Sequence, residues 1–150
     1  MPLSDYKKAL VTGASTGIGK AMVKALTDRN ITTYALARRK ELLENLQSET
    51  DCIPITLDLR DKEAIDLQLS DLEVDILINN AGHGRSEGPL HEANVDSVYD
   101  MVQTNLTSAM HLVRTLTPKM IYKNRGHIVM IGSVSGLHPI QQSVYGATKG

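Results

Sequence analysis

Short apolar runs alternate along the chain with longer amphipathic stretches. Lys8–Thr12 is a compact apolar run and predicts a buried strand. Gly17–Asp28 follows with Ile18, Met22, Ala25 and Leu26 at helical spacing. Ile31–Leu36, β-branched at its start, predicts a second strand. Lys40–Gln47 predicts a helix carrying Leu42, Leu43 and Leu46. Cys52–Leu57 predicts a third strand, although Pro54 inside it fits poorly in a paired ladder. Asp61 stands as N-cap of a polar helix reaching about Ser70. Asp75–Asn79 is a fourth strand and Ala81–Pro89, with Gly82, Gly84 and Gly88, a loop. Val95–Lys123 is helical in pattern, as one long helix or two in succession. Pro118 must kink it or sit where a donor is dispensable. Gly126–Gly132 is a fifth strand, and a further helix starts near Gln142.

Nearly continuous apolar strands alternating with helices imply parallel strands covered on both faces. Right-handed crossovers then give a doubly wound α/β sheet. In that architecture ligands gather beyond the carboxyl ends of the strands. Composition narrows the picture. The 150 residues carry 16 Lys+Arg against 17 Asp+Glu, a net charge of −1, which excludes a broad basic nucleic-acid footprint. No apolar run approaches the roughly 18 residues of a membrane span. Met1–Lys8 lacks the apolar centre of a secretory leader. The lone Cys52 excludes an intrachain disulfide framework and a cysteine-rich metal site. A reducing, cytoplasmic setting is the expectation. The core must be built without Trp or Phe.

Candidate chemistry follows each strand. After the first comes Thr12-Gly13-Ala14-Ser15-Thr16-Gly17-Ile18-Gly19. Such a turn, entering a helix, can bring backbone N–H groups to a phosphate; it can equally be a tight strand-to-helix connection. The spacing matches neither the common dinucleotide fingerprint nor a P-loop. After the second strand, where NAD sites usually place an acid, stand Arg38 and Arg39. Two guanidinium groups there suit a ribose 2′-phosphate, or form a solvated pair at a helix start; position favours Arg38. Asp58 follows the third strand, Asn79-Asn80-Ala81-Gly82 the fourth and Ser133 the fifth. Tyr145 and Lys149 are one helical turn apart, where an ammonium favours a phenolate.

Together these residues resemble the short-chain dehydrogenase/reductase family. The glycine turn, Asn79–Gly82, Asn105, Ser133 and Tyr145-x-x-x-Lys149 stand in that family's order and spacing. Arg38-Arg39 is similar to its NADP-preferring members. The segments Asn124–Ile128 and Val144–Lys149 are similar to NADP-dependent 3-hydroxy acid (serine-type) dehydrogenases.

The resemblance implies a Rossmann-type NADP-binding domain over residues 1–150, cut after the fifth strand and the start of the next helix. It implies hydride transfer between NADP(H) and a small carbonyl or secondary alcohol. Tyr145 would be the acid and base, Lys149 its partner and a ribose contact, and Ser133 the donor to the substrate oxygen. Asn105 would support a water chain to Lys149. Gly13 to Gly19 (Gly13, Ala14, Ser15, Thr16, Gly17, Ile18, Gly19) and the Asn79–Gly82 backbone would hold the cofactor, Arg38 and Arg39 its 2′-phosphate. Asp58 would meet the adenine amino group, Leu59 would lie beside the ring, and Asn80 would brace the sheet. Dimers or tetramers would form through helices near Val102–Tyr122 and that of Tyr145. No metal is expected.

Family members continue for about another hundred residues. The expectation is therefore the N-terminal part of a longer enzyme, inactive as this piece alone. Arg85 and His138 hint at an acidic substrate group, and His83 lies close to the expected site. A nucleotide-binding regulator without chemistry is the competing reading.

Overall fold

The computed structural model describes residues 2–84, 89–138 and 143–150. Five strands form one wholly parallel sheet: β1 (Lys8–Thr12), β2 (Thr32–Ala37), β3 (Ile53–Thr56), β4 (Ile76–Asn79) and β5 (His127–Met130). Their order is β3-β2-β1-β4-β5. The chain winds outward from β1 to β3, then crosses to β4 on the other side of β1. This switch leaves a crevice at the carboxyl ends of β1 and β4.

β1 shows why the sheet is covered on both faces. Ala9 and Val11 point one way, into a layer with Val23 and Leu26 of α1 (Gly17–Thr27) and Leu43 and Leu46 of α2 (Lys40–Glu49). Leu10 points the other way, against Ile65 and Leu69 of α3 (Lys62–Leu69) and Leu112 and Leu116 of α5 (Ser108–Tyr122). All are buried. With period-2 side chains, each strand feeds both layers. Pro54 is tolerated because β3 is an edge strand of the sheet. β5 is the other edge among the described residues, with Met130 half exposed.

The expected elements are present, with local differences. The long helical stretch is α4 (Val95–Val102), a π-helical turn (Gln103–Thr107) and α5, so Asn105 sits in a bulge. α5 continues through Pro118 to Tyr122. A short helix, α6 (Val134–Leu137), follows β5, with no helix expected before Gln142, and α7 spans Ser143–Ala147. β2 lies one residue later than its apolar run suggests, because Ala37 pairs with Thr56. Short 3-10 turns at Leu3–Asp5 and Leu90–Glu92 carry no sequence signal. The expected helix start at Gln142 lies outside the described residues. Asp61 caps α3 as expected, its Oδ1 accepting from Ala64 N at 2.9 Å.

Candidate functional site

The glycine turn is locked onto β4. Gly13 has φ +64°, and a Cβ on it would stand 2.9 Å from Ala81 Cα. A Cβ on Gly19 would run into the Gly13 carbonyl oxygen. Thr12 Oγ1 accepts from Asn80 N at 3.1 Å and Ala81 N at 3.0 Å. Asn80 Nδ2 donates back to Thr12 O at 3.0 Å. Asn80 thus braces turn and sheet together. The turn delivers the chain into α1, whose Thr16 N-cap makes no side-chain cap. The Thr16 hydroxyl instead accepts from Arg39 Nη2 at 3.3 Å, and Ser15 Oγ from the same nitrogen at 3.1 Å. An uncapped helix N-terminus beside a guanidinium is suited to an anion.

Two adjoining cavities share Gly13, Thr16, Ala81 and Gly82. One, of about 200 Å³, runs past Arg38 and Arg39 to Asp58, Leu59, His83 and Thr104. The other, of about 430 Å³, runs past Ile18 and Asn80 to Ser133, Tyr145 and Lys149. The groove therefore gathers residues from the carboxyl ends of all five strands. Arg39, which position ranked second, is the arginine docked on the turn. Some expected cofactor residues do not line it. Ala14 is fully buried in the core. Asn79 turns into the protein, its Nδ2 3.5 Å from Ala109 O and 3.2 Å from Met130 Sδ. Gly17 and Gly19 shape the turn. Arg85 lies outside the described residues.

At the far end, Lys149 Nζ donates to Ile131 O at 3.0 Å. It also lies 3.0 Å from where a Cβ on Gly82 would be. Burial pushes the Lys149 ammonium below its ordinary pKa. Lys149 lies just past α7, and its N–H bonds Gly146 O at 3.0 Å, so the helical turn from Tyr145 is retained in tighter form. The Tyr145 ring packs on Gly84. Ser133 Oγ accepts from Ser135 N at 3.2 Å, which leaves its hydrogen free to donate. Asn105 does not line the groove. Its Oδ1 accepts from His83 N at 2.9 Å, and its Nδ2 donates to His83 O at 2.9 Å and to Thr148 Oγ1 at 3.0 Å.

Sequence reasoning missed Thr104, Thr148, Arg60 and Asp100. Arg60 binds both Asp58 and Asp100 and holds their carboxyls below the usual carboxylate range. Thr148 falls inside the Tyr145–Lys149 spacing and could have been weighed there. Arg60 and Asp100 carry no spacing signal.

Residues 7–150 match the family model described as short chain dehydrogenase. The chain belongs to the short-chain dehydrogenase family. A relative within it is an uncharacterised short-chain type dehydrogenase/reductase of Sinorhizobium fredii, 38% identical over 99% of this chain and 60% of its own length. The NADP-dependent 3-hydroxy acid dehydrogenase of Escherichia coli K12 is 37% identical over 93% of this chain and 60% of its own. Among solved structures, a serine dehydrogenase in its closed form with NADP+ superposes with a TM-score of 0.90 at 35% identity. That superposition covers 95% of this chain and 60% of the other. The chain thus spans about 60% of the length of the curated relatives it matches. Among the described residues no helix is long and apolar enough to cross a membrane, and no His/Cys/Asp/Glu group could hold a metal.

Proposed function

We propose that residues 1–150 form the NADP(H)-binding domain of a cytoplasmic oxidoreductase acting on a small carbonyl or secondary alcohol. The observation that carries this reading is the pair of adjoining cavities, joined at Gly13, Thr16, Ala81 and Gly82, that reach from Arg38–Arg39 to Ser133–Tyr145–Lys149. Arg39, docked on Ser15 and Thr16, and Arg38 beside it would hold the 2′-phosphate. Asp58 would accept from the adenine amino group and Leu59 would lie against the ring. The uncapped start of α1 would face the pyrophosphate.

Nicotinamide, when bound, would supply or accept the hydride. The chain's own residues manage the proton and the oxygen. Ser133, already an acceptor from Ser135, donates its hydrogen to the substrate oxygen. Tyr145 gives its phenolic proton to that oxygen during reduction and takes it back during oxidation. Lys149, in the same cavity as Tyr145, would bond the nicotinamide ribose. Asn105 holds the His83 backbone and Thr148, and with them the walls beside Lys149. The similarity to 3-hydroxy acid and serine dehydrogenases makes short hydroxy acids the first substrates to try. Exposed Val95, Tyr99, Met110 and Ile121 on α4 and α5 support pairing of two copies through these helices.

Catalysis is expected from a protein of the relatives' full length, whereas the 150 residues alone are expected to bind cofactor without turning over. Tyr145→Phe tests the reading. In the full-length enzyme it should reduce kcat by at least about a hundredfold while NADPH binding stays within about twofold. Unchanged turnover would reject Tyr145 as the acid. A binding protein without catalysis would show no turnover before or after the change.

A further inference from the structure

Three charged side chains and a histidine run between the two ends of the groove. Arg60 grips Asp58 through Nε at 3.0 Å from Oδ1, Nη2 at 2.5 Å from Oδ2 and its own backbone N–H at 3.0 Å from Oδ1. Its remaining nitrogen, Nη1, donates to Asp100 Oδ1. The other oxygen of Asp100 lies 3.1 Å from His83 Nε2. The backbone of His83 is clamped at both N–H and carbonyl by the Asn105 side chain. Asp58 follows β3, Asp100 is on α4 and His83 follows β4, so three separate elements meet at one carboxylate.

Isolated ion pairs at this exposure contribute little. This chain differs because Arg60, Asp100 and His83 each have a neighbour on either side. His83 Nδ1 is buried without a partner, so among the described residues the ring's polar contact is Asp100 alone. The ring orientation thus depends on Asp100, as does the outer half of the Arg60 guanidinium.

We propose that Asp100 is a positioning residue that couples the adenosine end of the groove, at Asp58, to the Asn105–Lys149 end, through Arg60 on one side and His83 on the other. The proposal rests on the cofactor reading above. Arg60 and His83 touch Asp100 and are not hydrogen-bonded to one another. Asp100 is the group they share, and it offers the direct route for energetic coupling between them in cofactor binding.

The test is a double-substitution cycle read as the Kd for NADPH, by titration of nicotinamide fluorescence. Arg60→Met and His83→Phe are each expected to raise Kd by about threefold to tenfold. The double variant should bind no worse than the weaker single. In an Asp100→Ala background, or Asp100→Asn should alanine not fold, His83→Phe should change Kd by no more than about twofold and Arg60→Met should act only through its own bonds to Asp58, so that the two effects multiply. Multiplying effects with Asp100 in place, or effects that still fail to multiply without it, would overturn the proposal. So would changes in Kd that merely track the variants' melting temperatures. Failure of the unsubstituted chain to bind NADPH would overturn the cofactor reading itself, and the coupling with it.

Discussion

Asp75 is only 3% exposed and carries a charge. Its Oδ2 accepts from the backbone N–H of Lys7 at 2.7 Å and Lys8 at 3.1 Å. Its Oδ1 accepts from Arg125 Nε at 3.1 Å and Nη2 at 3.0 Å. Burial opposes its ionisation, but these donors outweigh burial and hold the carboxyl below the usual carboxylate range. In the acid window the unfolded chain therefore binds more protons than the folded one. The stabilisation is complete above the unfolded pKa of about 3.9 and is lost as pH falls through the lower folded value. Asp75→Asn should cost about 2 kcal/mol at pH 7, and the difference from the parent should shrink between about pH 5 and pH 2. Denaturant unfolding across that range checks it; a constant difference would contradict the account. At this scale the sequence was legible where residues sit at fixed spacing after a strand, as Ser133, Tyr145 and Lys149 do. It was silent on Arg60 and Asp100, whose contact joins positions 40 apart with no periodic signal.

Among the elements, α3 and α5 carry the layer beneath β1 and β4. Leu112 is fully buried there, whereas Asp61 only caps α3 at its exposed start. Leu112→Ala should cost about 3 kcal/mol through lost burial and a cavity, and Asp61→Ala about 1 kcal/mol through an unpaired N–H. Urea unfolding of both variants should reproduce that order, and the reverse order would mean that the layer is not packed as described. Most elements were legible because their apolar period is unambiguous. The π-helical turn at Gln103–Thr107 was not, since one added residue scarcely disturbs a helical pattern. Yet that turn carries Asn105. Helix α6 was missed because four residues including Gly136 read as loop.

Over the whole molecule, the parallel sheet and its switch point were legible from strand–helix alternation. The site's location followed from that topology. What the sequence did not reveal is the continuity of the groove, which depends on how the turn after β1 packs on Ala81 and on where Arg39 docks. On the proposed reading, one end of these adjoining cavities would hold a 2′-phosphate and the other would carry out proton transfer. The most direct test is a parallel titration of this chain with NADPH and NADH, repeated with Arg39→Ala. The account predicts saturable binding with NADPH favoured by about tenfold or more, and most of that preference lost in the variant. Equal affinity for the two, or a preference for NADH, would contradict it.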